Sequence, residues 1–192
     1  TARYSALAPR ACGWAGAAFA FVIGWAMYLD GWGDVWDGCC SGRACDKLRE
    51  VMKDSRLGSF GGASLVIAFG LWTALLSSVA PGERLCACVT AAAAARFAEN
   101  AAAYFGRYPW ESGMAKGWVD DYTLYDLFSA LAALVIFLPF APVRLPVCAA
   151  AAGLTGFAAA KYMNERLGGT NGDVMGAVAV ASEIISMAVW AI

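Results

Sequence analysis

The residues best suited to chemistry are three aspartates in the segment DGWGDVWDG, namely Asp30, Asp34 and Asp37. Their spacings of four and three residues place the carboxylates on one face of a helix, where they repel one another unless a cation lies among them. The chain contains no histidine, so this face offers oxygen donors only. Oxygen donors favour Mg²⁺, Mn²⁺ or Ca²⁺, and Mg²⁺ is the usual ion where a phosphate completes the shell. We therefore predict a metal site at these three aspartates.

A cluster of charged residues follows the aspartates and ends at a glycine. Its members are Lys47, Arg49, Glu50, Lys53, Asp54, Arg56 and Gly58. Cations beside a carboxylate-bound metal indicate a phosphorylated substrate, so we assign Lys53, Asp54 and Arg56 to substrate binding. The alternative is a solvated loop between two membrane helices, which is the default for a run of charge. We favour the site because Asp30 directly follows an apolar run, and an acid at the end of a membrane helix is a candidate functional group.

A second group of glycine and polar residues occurs late in the chain, in LGGTNGDVMGAVAVASE. Gly168, Gly169 and Gly172 allow a tight turn whose amide groups can approach a phosphate. Asp173 stands at the start of the helix that follows, and Glu183 lies about three turns deeper in an apolar run. We assign Gly169, Gly172 and Glu183 to substrate binding. Asp173 is either a functional carboxylate or the N-cap of its helix.

The elements that must position these residues are membrane helices. Hydrophobic residues make up 60% of the chain and charged residues 15%, and the mean hydropathy is +0.57, a balance typical of an integral membrane protein. Six apolar runs approach the length of a bilayer crossing: 11–29, 62–80, 84–105, 126–141, 145–163 and 174–192. Residues 1–10 show no cleavable signal pattern and are interpreted as a flank. We predict an all-α, polytopic membrane protein of about six transmembrane helices, formed as a single domain over 1–192.

The distribution of basic residues predicts the orientation of these helices. Six crossings place the segments 30–61, 106–125 and 161–173 on one side, and that side holds nine of the basic residues whereas the other holds four. Because cytoplasmic loops carry the excess of Lys and Arg, we expect all three segments in the cytoplasm, in a multi-pass protein of the cell (inner or plasma) membrane. Two distant motifs on one side can then build one site.

The third apolar run contains three polar residues, Arg96, Glu99 and Asn100. Polar groups in the hydrocarbon region are costly unless they face a cavity or pair with one another. Pairing of Arg96 with Glu99 or Asn100 is one interpretation. The other, which we prefer, directs Arg96 at the phosphates of a substrate.

The segment between the third and fourth runs is rich in aromatic residues. They are Tyr104, Tyr108, Trp110 and Trp118. An aromatic belt at the membrane interface is the favoured interpretation. A lip that covers a large planar substrate is the alternative.

Two motifs resemble those of the cobalamin synthase family, the adenosylcobinamide-GDP ribazoletransferases. DGWGDVWDG followed by EVMKDSRLGSFG is similar to that family's Leu-Asp-Gly-x-x-Asp-x-x-Asp-Gly and Glu-Ile-Met-Lys-Asp-Ser-Arg-Ile-Gly-x-x-Gly. The late motif resembles Gly-Gly-x-Thr-Gly-Asp-x-Leu-Gly-Ala followed by Glu. The chain differs at Tyr28, Gly33 and Asn171, where His, Ala and Thr are common. The family also resembles this chain in having an arginine in the helix that holds Arg96.

The resemblance implies a membrane transferase that moves the cobinamide phosphate of adenosylcobinamide-GDP to a ribose hydroxyl of α-ribazole or its 5′-phosphate, with release of GMP. One or two Mg²⁺ ions held by Asp30, Asp34 and Asp37 would clamp the pyrophosphate. Asp37 or Asp173 would be the general base, and Arg96 would act on the phosphates. The expected partners are the two substrates and membrane lipid, with no nucleic acid, and a homo-oligomer stays open.

Two other functions share some of these features. A CDP-alcohol phosphotransferase also needs clustered aspartates, but its signature continues Asp-Gly-x-x-Ala-Arg, whereas CCSG follows Asp37 and Gly38 here. A cation transporter could use the same carboxylates as an ion pathway. Transport would favour acids spread across several crossings near mid-bilayer, and these acids lie mostly at one face.

Overall fold

The computed structural model describes residues 26–43 and 45–192, together with residues 11, 15 and 16. Within these residues the regular structure is entirely helical, which confirms the predicted all-α class. The helices are α1 Ala26–Cys40, α2 Asp46–Met52, α3 Ser59–Ser78, α4 Arg84–Phe105, α5 Lys116–Asp120, α6 Leu124–Leu134, α7 Arg144–Arg166 and α8 Gly172–Ala191. A 3₁₀ helix, Val135–Phe140, continues α6. Most of the first apolar run, 11–29, lies outside the described residues.

Helix α8 lies at the centre of the bundle and packs against α1, α3, α4 and α7. Small residues allow this dense packing, because they let helix backbones approach closely. One example is Gly156 of α7, where an added Cβ would lie 2.4 Å from the carbonyl oxygen of Ala98 in α4. α4 is rich in alanine and contains neither glycine nor proline, so it forms one uninterrupted helix.

The three segments predicted to share one side meet at one end of the bundle. The amide of Cys45 donates to the carbonyl of Arg166 at 2.7 Å, and the amide of Thr170 donates to the carbonyl of Arg107 at 2.8 Å. At the other end, Arg144 forms an ion pair with Glu83 at 2.9 Å. The contacts therefore place both sequence motifs at the same end of the bundle, while the compartment that this end faces stays a prediction.

Two helices of the described chain are long and apolar enough to cross a membrane, namely α3 and α8. The segment Leu124–Phe140 is apolar but shorter. The count of six crossings is therefore not confirmed. α4 and α7 fall short because polar side chains lower their mean hydropathy: α4 carries Arg96, Glu99 and Asn100, and the last turns of α7 carry Lys161 and Asn164.

Several boundaries differ from those predicted. α6 begins at Leu124 rather than residue 126, because Thr123 and Asp126 form a reciprocal capping box at its start. α7 continues beyond residue 163 to Arg166, so the loop before α8 is shorter than expected. The segment 30–61 is largely helical, since it contains the second half of α1 and all of α2.

Candidate active site

The three early aspartates lie on the helix α1, as their spacing predicted. Asp30 is exposed, whereas Asp34 and Asp37 are half-buried. Burial, and then the neighbouring carboxylates of Asp173, Asp30 and Asp37, raise the pKa of Asp34 to about 7. Both causes disfavour the charged carboxylate, and a bound proton or cation relieves the part that comes from neighbouring negative charge.

Asp37 has a structural role that its position in the sequence did not reveal. Its two carboxylate oxygens accept hydrogen bonds from the amide of Gly58 at 2.7 Å and from the amide of Gly61 at 2.8 Å. A Cβ at either glycine would lie 2.3 Å from Asp37, so both positions require glycine. Asp37 thus holds the N-terminus of α3, where a negative charge is favourable. Each oxygen keeps acceptor capacity for a further ligand.

Asp173 is not the N-cap of α8, so the alternative interpretation of this residue was wrong. The cap is Asn171, whose side-chain oxygen accepts from the amide of Val174 at 3.0 Å. Asn171 also donates from Nδ2 to a carboxylate oxygen of Asp173 at 2.7 Å. The capping function is therefore filled by the neighbour, which leaves the second carboxylate oxygen of Asp173 open to other partners.

The early and late motifs meet where α1 crosses the start of α8. An added Cβ at Gly31 would lie 2.6 Å from the carbonyl oxygen of Asp173, and one at Gly176 would lie 3.3 Å from the backbone of Tyr28. Glycine at both positions lets the two backbones approach almost to contact. Asp30, Asp34 and Asp173 are brought together by this crossing, although they are far apart in sequence.

A cleft of about 420 Å³ opens beside this crossing, between α1 and the segment that runs from α2 to the start of α3. Acidic and basic residues share its lining: Asp34, Asp37, Arg43, Asp54 and Arg56. Asp54 and Arg56 form an exposed ion pair at 2.7 Å, and hydrogen bonds from Arg56 lower the pKa of Asp54 to about 2. The cleft therefore places predicted metal ligands beside two of the predicted substrate-binding residues.

Lys53, the remaining substrate-binding prediction in this segment, lies against the indole of Trp110. Its Nζ is 5.4 Å from the ring centroid, and Arg49 lies at 4.5 Å from the same ring, so two cations of α2 stack on one tryptophan. Tyr108 makes an edge-to-face contact with Trp110. Tyr108 also packs against the apolar cluster that contains Met175 of α8, close to the late motif. Burial and then the carboxylate of Asp173 raise the pKa of its phenol.

The aromatic segment between α4 and α5 thus borders the candidate site. Sequence reasoning included Arg49 in the charged cluster but did not assign it to substrate binding. The aromatic content of the segment was the signal for Tyr108 and Trp110, and we favoured a membrane belt as its interpretation. The alternative, a lip beside the substrate, agrees better with these contacts.

The glycine turn before α8 is partly explained by packing. Gly168 has a φ of +86°, a left-handed conformation that favours glycine. A Cβ at Gly169 would lie 2.1 Å from the carbonyl oxygen of Arg107, whereas one at Gly172 would meet nothing within 4 Å. Gly169 therefore allows the aromatic segment to pack on the turn, and Gly172 has open space around it for a ligand.

Arg96 forms an ion pair with Glu99, which agrees with the first of the two interpretations of this helix. Arg96 Nη1 lies 2.9 Å from Glu99 Oε1 and also donates to the hydroxyl of Tyr28. The carboxylate of Glu99 is buried, while the side chain of Arg96 is 40% exposed. Neither Arg96 nor Glu183 lines the cleft beside α1, and a role for Arg96 or Glu183 toward substrate stays a prediction.

The described residues contain no group of three Asp, Glu or Cys side chains already close enough to enclose a metal ion. The acids near the crossing are oxygen donors of the kind that Mg²⁺ prefers, and after burial the neighbouring carboxylates raise the pKa of Asp34 further. Their chemistry therefore fits a cation whose shell is completed by substrate phosphate. The metal assignment stays a prediction.

Comparison with known proteins gives a consistent match over nearly the whole chain. The family model described as CobS, cobalamin-5-phosphate synthase, matches residues 2–191. Curated relatives named adenosylcobinamide-GDP ribazoletransferase include those of Fusobacterium nucleatum, 30% identical over 184 residues, Allorhizobium ampelinum, 33% identical over 174 residues, and Escherichia coli, 31% identical over 166 residues. These matches cover 83%, 85% and 83% of this chain, respectively.

The chain spans about two thirds of the length of the curated relatives it matches, and slightly less for the two whose shares follow. The share covered is 66% for the Fusobacterium nucleatum protein and 64% for that of Clostridium acetobutylicum, which is 29% identical over 162 residues and 83% of this chain. No solved structure gives a significant match to the chain.

Proposed function

We propose, from the premise that the chain belongs to the cobalamin-5-phosphate synthase family, that it is a membrane transferase that joins adenosylcobinamide-GDP to α-ribazole or its 5′-phosphate. The products are adenosylcobalamin or its 5′-phosphate, and GMP. The names of the curated relatives support this reaction. The reaction completes the nucleotide loop of cobalamin.

The observation that carries the proposal is the contact between α1 and the start of α8. Gly31 lies against the backbone of Asp173, so the carboxylates of both motifs border one region at one end of the bundle. A phosphoryl transfer depends mainly on positioning and on stabilisation of charge. Acids that can hold a cation, beside basic residues that can bind phosphate, provide both.

In the proposed reaction, a ribose hydroxyl oxygen of α-ribazole forms a bond to the phosphorus that carries cobinamide. The bond from that phosphorus to the oxygen of GMP breaks, and GMP takes the electron pair. The hydroxyl loses its proton, and we propose Asp37 or Asp173 as the acceptor. Asp173 is favoured because Asn171 engages only one of its oxygens, whereas both oxygens of Asp37 hold amides of α3.

Mg²⁺ is the proposed cofactor, held by Asp30, Asp34 and Asp37. An Mg²⁺ ion bound there would neutralise negative charge on the phosphates. The protein's own contribution is to hold these carboxylates on the rigid helix α1. Arg56 would bind phosphate oxygens from the opposite wall of the cleft. Lys53 would do so from outside that wall, where it lies with Arg49 on Trp110.

We also propose six crossings, with the site at the cytoplasmic end of the bundle. The excess of basic residues at the end where the motifs meet supports this orientation. α3 and α8 satisfy the length and composition of a membrane span. α4 and α7 would cross with their polar groups paired internally, as Arg96 and Glu99 are.

The direct test is GMP release by the purified protein given adenosylcobinamide-GDP, α-ribazole and Mg²⁺. The wild-type protein is expected to release GMP only when all three are present. At a fixed, low Mg²⁺ concentration, Asp34→Asn should lower GMP release strongly, because it removes one charge from the acid cluster. Asp121→Asn, which changes an exposed aspartate at the same end of the bundle, serves as the matched control and should retain activity. No GMP release by the wild-type protein would overturn the proposal.

A further inference from the structure

An apolar groove of about 430 Å³ runs along the bundle on the side of α1 opposite the aspartates. Trp32 and Trp36 of α1 form one wall, Ala159 and Tyr162 of α7 form the other, and α8 forms the floor at Val178. Because an α-helix turns by about 100° per residue, Trp32 and Trp36 lie on the face of α1 opposite the carboxylates. The groove has no residue in common with the cleft beside Asp34, so it is a separate feature.

Arg166 lies beside the loop end of this groove, in contact with two of its lining residues, Tyr162 and Cys39. It lies one helical turn beyond Tyr162, and its guanidinium carbon is 5.7 Å from the centroid of that ring. Nη2 donates to the carbonyl of Arg43 at 3.0 Å and, at 3.4 Å, to the carbonyl of Cys39, which lines the groove. The side chain therefore reaches from the end of α7 to the end of α1, and its positive charge lies at the end of an otherwise apolar channel.

The charge of Arg166 is not balanced by an acid in the described part of the chain. It takes part in none of the ion pairs among residues 26–43 and 45–192, and the adjacent Glu165 is exposed without pairing to it. Its Nε is buried and has no acceptor among those residues, and the same holds for the indole nitrogen of Trp32 in the groove wall. Two N–H groups here thus lack an oxygen partner.

We infer that this groove binds an anionic phospholipid, with an acyl chain along α8 and the phosphate at Arg166. The apolar lining suits the chain, and a guanidinium with a spare N–H suits a phosphate oxygen. Tryptophan and tyrosine are favoured at the boundary between the lipid headgroups and the acyl chains. Basic residues at the cytoplasmic surface of a membrane protein attract anionic headgroups in the same way.

The test is lipid retention, measured by native mass spectrometry after reconstitution in nanodiscs of phosphatidylglycerol or phosphatidylcholine with the same acyl chains. The wild-type protein is expected to retain one phosphatidylglycerol and little phosphatidylcholine. Arg166→Gln should reduce this retention by about fivefold, since one basic contact at a membrane surface is lost. Lys161→Gln is the matched control, because Lys161 is an exposed cation on the same helix that does not line the groove.

A second pair of variants keeps the inference testable if Arg166→Gln does not fold. Ala159→Phe fills the groove and should expel the lipid, whereas Leu154→Phe, at an exposed position of α7 outside the groove, should retain it. Melting temperatures of all four variants show whether each is folded.

Three outcomes would overturn the inference. The first is equal retention of both lipids, and the second is unchanged retention in Arg166→Gln and Ala159→Phe. The third is a wild-type protein that retains no lipid and whose groove has another occupant. That occupant would be a second copy of the chain if Ala159→Phe converts a dimer to a monomer, or it would be α-ribazole. Because the measurement does not depend on GMP release, failure of the proposed transferase activity leaves the lipid result interpretable.

Discussion

Gly31 of α1 lies directly against the backbone of Asp173 at the start of α8. A Cβ at position 31 would lie 2.6 Å from the carbonyl oxygen of Asp173 and 2.8 Å from its Cα, distances well below van der Waals contact. The obstructing atoms are backbone, so they cannot move aside without shifting one of the two helices. This contact joins the early aspartate motif to the late glycine motif.

Gly31→Ala is therefore expected to separate α1 from α8. The overpacking should cost about 1–3 kcal/mol of unfolding free energy, and displacement of the carboxylates should lower GMP release by roughly a hundredfold. Melting in detergent and the GMP assay measure the two effects. Gly70→Ala is the control, because a Cβ there meets nothing within 4 Å and alanine favours the interior of α3 by up to about 1 kcal/mol. Wild-type activity in Gly31→Ala would show that this contact does not position the site.

Asp173 and Asn171 should separate activity from stability. Asn171→Ala removes the cap of α8 and is expected to cost about 1 kcal/mol. Asp173→Ser should change the unfolding free energy by less than about 0.5 kcal/mol, because the carboxylate does not cap the helix, yet it should abolish GMP release. A fully active Asp173→Ser protein would defeat the proposal that both motifs form one site.

Local patterns in the sequence predicted the helical class and much of the site. Spacing alone placed Asp34 on a helix with its neighbours, and the motif loops meet at one end as the alternation of helices required. Spacing could not decide between Asn171 and Asp173 as the cap, because both residue types cap helices equally well. Nor could it show that Asp37 binds the amides of Gly58 and Gly61, since that contact depends on how α1 and α3 cross.

The stacking of Arg49 and Lys53 on Trp110 illustrates the same limit. It joins α2 to a segment that follows α4, so no local periodicity could reveal it. An aromatic segment beside a helix end is as consistent with a membrane belt as with a site wall. Tertiary contacts resolve that ambiguity.

The three early aspartates are expected to respond differently to removal of one charge. Asp30→Asn and Asp34→Asn should raise the Mg²⁺ concentration needed for half-maximal GMP release with little loss of stability, since each relieves repulsion. Asp37→Asn should in addition lower the unfolding free energy by about 1–3 kcal/mol, because asparagine leaves one of the two α3 amides without an acceptor. Mg²⁺ titrations and melting curves of the three variants provide the measurement. Wild-type Mg²⁺ activation in all three variants would contradict the proposed metal site.

The ion pair of the half-buried Arg96 and the buried Glu99 is suited to a double-mutant cycle. Arg96→Gln leaves the buried Glu99 carboxylate without its ion-pair partner and is expected to cost about 1–3 kcal/mol. Glu99→Gln removes the same pair from the other side. Because the two residues are in contact at 2.9 Å, the double variant should be more stable than the sum of the single losses by about 1 kcal/mol.

The exposed pair of Lys116 and Asp120, at 2.7 Å on α5, is the matched control, and its coupling should stay below about 0.5 kcal/mol because solvent screens it. The cycle also tests the phosphate role of Arg96 when GMP release is measured on the same variants. If Arg96 acts on substrate, Arg96→Gln should lower turnover well below that of Glu99→Gln at equal melting temperature. If turnover of the two single variants falls only in proportion to their loss of stability, Arg96 serves the fold alone, by neutralising Glu99 inside the bundle.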